Sequence, residues 1–178
     1  MNARQDVAAA TAPSALSQDL TPTALRQSLG CFPSGVTVVT ARAADGRPVG
    51  LTVNSFASLS LEPPLLLWSL ANRSPNRQAF RQATHFAIHV LAAHQGETAL
   101  QFANSRLPDK FQGIALQPPL WAEAPPLLAD SHALFLCESR DAIESGDHTL
   151  FIGRIQQHRR DQGAPLLFYR GQFGEVKT

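Results

Sequence analysis

Short extended runs, separated by turns, constrain the fold of this chain more than any other feature. Residues 36–40 are almost all β-branched, Asp45 and Gly46 offer a turn, and residues 48–53 resume an extended pattern, which predicts a hairpin. Further runs with the length and bounds of strands occur at residues 65–70, 86–91, 133–137, 148–155 and 166–169. No regular β-α-β alternation connects them. The pattern therefore predicts a mainly β protein, an antiparallel barrel with helical insertions, rather than a doubly wound sheet.

Three short helices are predicted around these strands. Thr21 has the residue type and position of a helix cap, and so does Ser74, which stands before a second helical segment. Residues 94–104 have the apolar spacing of a third helix, in which Leu100 and Phe102 are the candidates for the buried side. The helices are too few and too irregularly placed to form a layer on each face of a parallel sheet.

Size and composition indicate one folded domain. The chain has 178 residues, of which 44% are hydrophobic and 16% charged, so we expect a single domain over residues 21–178 preceded by a flexible tail over residues 1–20. A surface with so few charges is commonly covered by self-association, which predicts a homodimer.

Charge, hydropathy and cysteine content each exclude a class of partner or compartment. The net charge of +1 gives no general attraction to nucleic acid. No apolar run approaches the roughly 20 residues of a membrane helix. Cys31 and Cys137 belong to no C-x-x-C pair and neither has positive neighbours in the sequence, so we expect no disulfide, no metal site and no reactive thiol. A reducing cytoplasm fits best.

Uncharged polar side chains recur along residues 50–61. At a period of two, one side carries Thr52, Asn54, Ser58 and Ser60. The opposite side carries Leu51, Val53, Ala57, Leu59 and Leu61. Neutral donors and acceptors can bind the edge of a polar heterocycle and a phosphate without the cost of burying charge. The alternative, a solvated strand face, stays open from the pattern alone.

A histidine stands at the mouth of a later strand. Gly146 and Asp147 form a turn that delivers His148 to an apolar run, where an imidazole is suited to a ligand contact or a proton relay. A turn-capping role is equally open. No histidine has metal-ligand spacing, and the sequence contains no G-x-G-x-x-G after a strand, no P-loop and no G-x-S-x-G elbow.

Four blocks, taken in order, resemble the flavin reductase-like family, which includes the small reductase components of two-component flavin monooxygenases. These blocks are residues 32–40, residues 50–60 with Pro63 and Pro64, residues 86–91, and residues 146–153 with 165–171. The resemblance covers about residues 25–173. Two departures are His89, where an Asn is common, and Phe173, where many members have Tyr.

The resemblance implies a split β-barrel homodimer of the FMN-binding type that holds FMN or FAD and is reduced by NADH or NADPH. It places Thr52, Val53, Asn54, Ser55, Ser58, Leu59 and Ser60 against the flavin ring, ribityl chain and phosphate. It places Ala71, Asn72, Arg73 and Ser74 in a turn at the phosphate. Lys110 and Phe111 would close over the cofactor, and His148 would line the nicotinamide side as the catalytic residue.

The implied activity is an NAD(P)H-dependent flavin reductase that supplies reduced flavin to a separate monooxygenase. Hydride transfer needs the two rings within roughly 3–3.5 Å, and the cofactors carry the chemistry, so no side-chain nucleophile is required. The alternative is a flavin-binding electron carrier without nicotinamide turnover. The Gly-Asp-His block favours the reductase, because a pure binder has no need for a histidine on the open side of the ring.

Overall fold

The structure, a computed structural model, describes residues 15–176, which form three helices and ten strands. The helices are α1 (Pro22–Leu29), α2 (Arg77–Gln82) and α3 (Gly96–Ala103). The strands are β1 (Ser34–Gly35), β2 (Thr37–Arg42), β3 (Pro48–Val53), β4 (Ala57–Leu61), β5 (Pro64–Ala71), β6 (His85–Val90), β7 (Ala133–Ser145), β8 (His148–Arg160), β9 (Leu166–Tyr169) and β10 (Gln172–Glu175). Most of the predicted tail, residues 1–20, lies outside the described residues.

Two antiparallel sheets organise the chain. Seven strands form the main sheet in the order β3-β2-β6-β7-β8-β5-β4, and β1-β9-β10 form a small one. The longest hairpin, β7 and β8, turns at Gly146 and Asp147, where Gly146 has φ of +58°, a left-handed conformation that glycine adopts without strain. The predicted mainly β, antiparallel fold with helical insertions is confirmed.

The main sheet curls so that strands distant in sheet order approach each other. Ser55, in the connection from β3 to β4, reaches the backbone of β5. Its hydroxyl donates to the carbonyl of Ser69 at 2.9 Å and accepts from the Ser69 N–H at 3.0 Å. One side chain therefore takes the place of a neighbouring strand there and holds the two regions of the sheet together.

An aromatic cluster fills the concave side of the main sheet. The ring of Trp68 on β5 stacks on that of Phe151 at 4.6 Å between centroids and meets the edges of Phe80 and Phe86. Phe80 comes from α2, so this core fastens that helix to the sheet. A side chain at Gly153 would come within 2.9 Å of the Cys137 Cβ, so the close packing of this core requires glycine there.

The segment between α3 and β7 is irregular and is pinned to the outer face of the sheet. The buried His89 ring accepts from the Leu128 N–H through Nε2, at 3.1 Å, so its Nδ1–H donates to the Val38 carbonyl at 3.1 Å. The Thr40 hydroxyl donates to the Pro126 carbonyl at 2.6 Å. Burial lowers the pKa of His89 from 6.5 to about 4, so the ring is neutral near pH 7.

Two helix predictions differ in detail from the structure. The second helix begins at Arg77 rather than at Ser74, whose hydroxyl accepts from the Asn76 N–H in a local turn. In α3, Phe102 is buried as predicted, but Leu100 is 53% exposed and Ala99 takes the other buried position. The prediction for Leu100 is wrong because Ala99 and Phe102, three positions apart, form the buried side of α3, and Leu100 lies about 100° around the helix from Ala99.

The polar and apolar sides predicted for residues 50–61 do not form one continuous strand. The chain leaves the sheet after Val53 and re-enters at Ala57, so the alternation restarts in a new strand. Leu59 and Leu61, which the period of two places on the apolar side, are exposed on β4, which is an edge of the main sheet. The period of two therefore indicated extended chain correctly, but it did not show the break after Val53 or the exposure of the apolar side of β4.

Candidate functional site

A cleft of about 490 Å³ lies between β3 and the end of α3, and we refer to it as the α3 cleft. Its wall contains aromatic rings together with polar and cationic side chains. The members used below are Arg47, Thr52, Ser74, Asn76, Phe102, Lys110 and Phe111. The composition suits a ligand that combines a flat heterocycle with a phosphate, because rings can stack and the cations balance charge.

Lys110 is held in the wall of this cleft by backbone groups. Its ammonium Nζ donates to the Phe102 carbonyl at 2.7 Å, in the last turn of α3, where the helix dipole favours a cation. Gln101 donates to the carbonyls of Lys110 and Gln112, both at 2.9 Å, which fixes the loop. Partial burial lowers the pKa of Lys110. The cation is therefore pre-positioned at low cost in side-chain freedom.

Two residues of β3 set the floor of the α3 cleft. A Cβ at Gly50 would lie 2.6 Å from the Phe102 ring, so only glycine lets Phe102 pack this close, with Phe111 against it at 5.1 Å between ring centroids. The Thr52 hydroxyl donates to the Ala99 carbonyl at 2.7 Å. Strand and helix are thereby tied together at the cleft.

A second and more open cleft of about 1140 Å³ lies between α1, the small sheet and the ends of β3 and β8, and we refer to it as the α1 cleft. It is lined by Asn54 and His148 together with Arg26, Phe168 and Arg170. Its lining residues, all within residues 15–176, include no Asp or Glu. The cleft therefore presents a positive surface beside an aromatic ring.

His148 lies half exposed at the mouth of the α1 cleft. Its Nδ1 hydrogen bonds to the carboxylate of Asp147 at 2.7 Å, and this bond lowers the pKa of Asp147. Because the carboxylate accepts the hydrogen bond from Nδ1–H, Nε2 is the ring atom left to meet a ligand. The geometry combines both interpretations of the sequence, since the histidine packs at the turn and also faces the cleft.

The surroundings of Cys31 differ from the expectation that neither cysteine has a positively charged neighbour. The sequence offers it no positive neighbour, yet Arg170 lies with a guanidinium nitrogen 3.6 Å from the Cys31 sulfur. The cysteine is exposed in the α1 cleft, whereas Cys137 is buried and its pKa is raised to about 12. The sequence could not show this contact, because residues 31 and 170 are far apart in the chain and only the fold brings them together.

The structure brings five of the thirteen predicted flavin-contacting residues into these clefts. Thr52, Ser74, Lys110 and Phe111 line the α3 cleft, and Asn54 lines the α1 cleft. The other eight, all within residues 15–176, line neither cleft: Val53, Ser55, Ser58, Leu59, Ser60, Ala71, Asn72 and Arg73. Their assignment to the flavin stays a prediction that rests on the resemblance.

Sequence reasoning missed several cleft residues. Arg47 and Asn76 line the α3 cleft, and Arg26 and Arg170 line the α1 cleft. Each stands alone in the sequence, so no run or spacing marks it. The one local sequence signal is Gly171 after Arg170, which is typical of a turn. In the structure Arg170 lies in that turn with φ of +48°, which is uncommon for a non-glycine residue.

Neither a metal centre nor a membrane-spanning helix accompanies these clefts in the described part of the chain. Residues 15–176 hold no group of three or more His, Cys, Asp or Glu side chains that could bind a metal ion. No helix among the same residues is long and apolar enough to cross a membrane.

Comparison with known proteins shows which family this antiparallel β-domain is similar to. A family model described as "Flavin reductase like domain" matches residues 29–177. FMN reductase (NADH) SmoA of Agrobacterium fabrum is 43% identical over 152 residues, which are 84% of this chain and 83% of SmoA. The flavin-dependent monooxygenase reductase subunit HsaB of Rhodococcus jostii is 39% identical over 160 residues, 88% of this chain and 78% of HsaB.

Solved structures agree. An NADH:FAD oxidoreductase of Streptomyces globisporus, solved in complex with NAD and FAD fragments, superposes with a TM-score of 0.84 at 33% identity. The match covers 92% of this chain and 98% of that protein. Two longer relatives from Rhizobium meliloti are spanned over 65% and 48% of their length. The chain belongs to the flavin reductase-like family.

Proposed function

We propose that this protein is an NADH-dependent flavin reductase that passes a hydride from reduced nicotinamide to FMN or FAD and supplies the reduced flavin to a separate monooxygenase. The family and the names of the relatives support this activity: FMN reductase (NADH), and a monooxygenase reductase subunit. The observation that carries the proposal is the pair of clefts near the end of β3, one lined by Thr52 and the other by Asn54.

The flavin occupies the α3 cleft. The donor set fits the group: Thr52, Ser74 and Asn76 provide neutral polar atoms, and Lys110 and Arg47 provide positive charge for a phosphate. Phe111 lies edge-on to Phe102 and gives the cleft an apolar wall. Flavin supplies the redox chemistry when it is bound, and these residues bind it and orient it.

The nicotinamide nucleotide occupies the α1 cleft. Arg26 and Arg170 balance its phosphates, and Phe168 provides an aromatic wall. His148 orients the nicotinamide through Nε2, while Asp147 holds the ring through Nδ1. The protein's own contribution is orientation, because the reaction needs no proton taken from the donor.

A homodimer completes the proposal. β4 forms one edge of the main sheet, and it presents Leu61, 93% exposed, and Leu59 to solvent. An exposed apolar edge strand is a surface that proteins normally cover, and a second copy of the chain is its proposed cover. Light scattering should give twice 19.2 kDa, and Leu61→Glu should lower that mass toward the monomer. A monomeric wild type at micromolar concentration would remove the dimer.

The protein is also proposed to act in the cytoplasm, which agrees with its two unpaired cysteines.

The activity is tested by adding FMN, FAD or no flavin to the purified protein and following NADH oxidation and, without oxygen, the visible colour of the flavin. We expect NADH oxidation that requires flavin and flavin that bleaches. A flavin that binds and stays yellow with both NADH and NADPH would contradict a reductase and favour an electron carrier.

A further inference from the structure

We propose that Asn72 is a positioning residue that holds the turn carrying His148, rather than a ligand of the flavin phosphate. The inference rests on the proposed function of His148. It concerns a polar network between the end of β5 and the β7–β8 hairpin, none of whose members line the α3 or the α1 cleft among the residues described.

Asn72 directs its polar groups at the hairpin. Its backbone N–H donates to the Asp147 carbonyl at 2.8 Å, and its side-chain Nδ2 donates to the Gly146 carbonyl at 3.3 Å. Its Oδ1 accepts from the Thr149 hydroxyl at 2.7 Å. These three bonds span both residues of the turn and the first buried residue after it. The side chain thus uses its acceptor and one of its two Nδ2 hydrogens at the hairpin, and it lines neither cleft.

The network continues into α2. Thr149 is fully buried, and its hydroxyl also accepts from the Arg77 Nε at 2.9 Å. Arg77 pairs with Glu144, which also accepts from Arg81 at 2.5 Å. The chain of contacts therefore runs from a helix fixed in the aromatic core to the tip of a hairpin that would otherwise be anchored by backbone pairing alone.

The geometry connects this network to His148 through the turn backbone. Ala71 pairs with His148 across β5 and β8, so the next residue, Asn72, lies opposite the turn. Gly146, whose carbonyl accepts from the Asn72 side chain, directly precedes Asp147, whose carboxylate accepts from the His148 ring. Loss of the Asn72 side chain frees this turn at Gly146, although the backbone bond from residue 72 to Asp147 remains. A shift of the Asp147 backbone would therefore move the carboxylate and, with it, the imidazole.

A double-mutant cycle tests the proposal. Asn72→Ala should lower kcat/KM for NADH by roughly 3- to 30-fold and leave the flavin Kd unchanged. In a His148→Ala background the same substitution should cause no further loss in kcat/KM, because the residue through which Asn72 acts is absent. An equal loss in both backgrounds would overturn the proposal. A weaker flavin Kd with unchanged NADH kinetics would return Asn72 to the phosphate.

Thr149 provides a second route if Asn72→Ala does not fold. Thr149→Val keeps the shape and removes the hydroxyl that joins Asn72 to Arg77, so kcat/KM should fall, while Thr149→Ser should restore most of it. Gln156 lies on the same strand as Thr149 and donates an exposed hydrogen bond to Glu138 on β7. Gln156→Ala is the matched control, and we expect no change in kcat/KM. Equal kinetics for the Val and Ser variants would contradict a role for the network.

A readout independent of activity separates this proposal from the proposed function. Imidazole nitrogen NMR should show His148 protonated at Nδ1 in the wild type and a mixture of tautomers in Asn72→Ala. An unchanged tautomer would overturn the positioning role even if the protein reduces flavin. A changed tautomer in a protein that does not oxidise NADH would support the positioning and overturn the proposed function instead.

Discussion

The two clefts differ in what holds their walls. Side chains in the wall of the α3 cleft are fixed by hydrogen bonds to the backbone of α3. Lys110 donates to the Phe102 carbonyl, and Thr52 donates to the Ala99 carbonyl. The α1 cleft is more open and is bounded by exposed side chains, with His148 fixed mainly through its own turn. The α3 cleft therefore offers a ligand side chains that are already fixed, whereas the side chains of the α1 cleft can adapt to the ligand.

This difference suits the proposed division of work. Binding energy improves when the binding groups are fixed beforehand, because less freedom is lost on association. A hydride donor that must enter and leave in every cycle is better served by an open surface. Changes in the α3 cleft should therefore alter stability and flavin affinity, and changes in the α1 cleft should alter NADH kinetics.

Acid should destabilise the fold through His89. His89 supports Leu128, which packs in the same apolar cluster as Phe102 of the α3 cleft. Its pKa is about 4 in the folded protein against 6.5 ordinarily, so the unfolded chain binds the proton first as pH falls. This contribution to the free energy of unfolding is fully present above pH 6.5 and is lost toward pH 4, by about 3 kcal/mol.

Urea unfolding at a series of pH values measures this loss. His89→Asn removes the titrating group and should flatten the dependence between these two pH values, whatever its effect on stability at neutral pH. A wild type and a variant with the same slope of unfolding free energy against pH would show that His89 is not the group responsible.

His148→Ala should affect the α1 cleft alone. We expect kcat/KM for NADH to fall by roughly 10- to 100-fold, equivalent to about 1.4–2.8 kcal/mol, because one orienting contact is lost from a reaction governed by position. The flavin Kd should hardly change. A lowered Tm with unaltered NADH kinetics would mean that the histidine only caps its turn.

Lys110→Met is the matching change in the α3 cleft. The FMN Kd should rise by about 10-fold, or about 1.4 kcal/mol, because a fixed cation is removed from the phosphate. Riboflavin, which has no phosphate, is the control and should bind the variant and the wild type equally. An equal loss of affinity for both ligands would indicate a disturbed wall rather than a lost charge contact.

The sequence was informative where local chemistry decides the outcome. The β-branched run in β2 and the Asp45-Gly46 turn predicted a hairpin that the structure contains, and Thr21 caps α1 as expected. The family resemblance, carried by four blocks, is confirmed by a match over residues 29–177. In these cases a few neighbouring residues hold the relevant signal.

The sequence was uninformative where distant segments meet. Periodicity through residues 50–61 could not show that the chain leaves the sheet between Val53 and Ala57, or that Leu61, on the apolar side of the pattern, is exposed. Arg47 follows the Asp45-Gly46 turn and Arg170 lies in a turn with Gly171, but a turn does not show which cleft its arginine lines. Such placements depend on the curl of the whole sheet, which no local pattern encodes.

The assignment of the two clefts is tested most directly by a crystal structure of the protein with FMN. We predict the phosphate within hydrogen-bond distance of Lys110 or Ser74, with the ring reaching toward Thr52 and the α1 cleft free of flavin. A flavin phosphate bound between Arg26 and Arg170 would contradict the account, because it would place the cofactor in the cleft that we assign to the nicotinamide nucleotide.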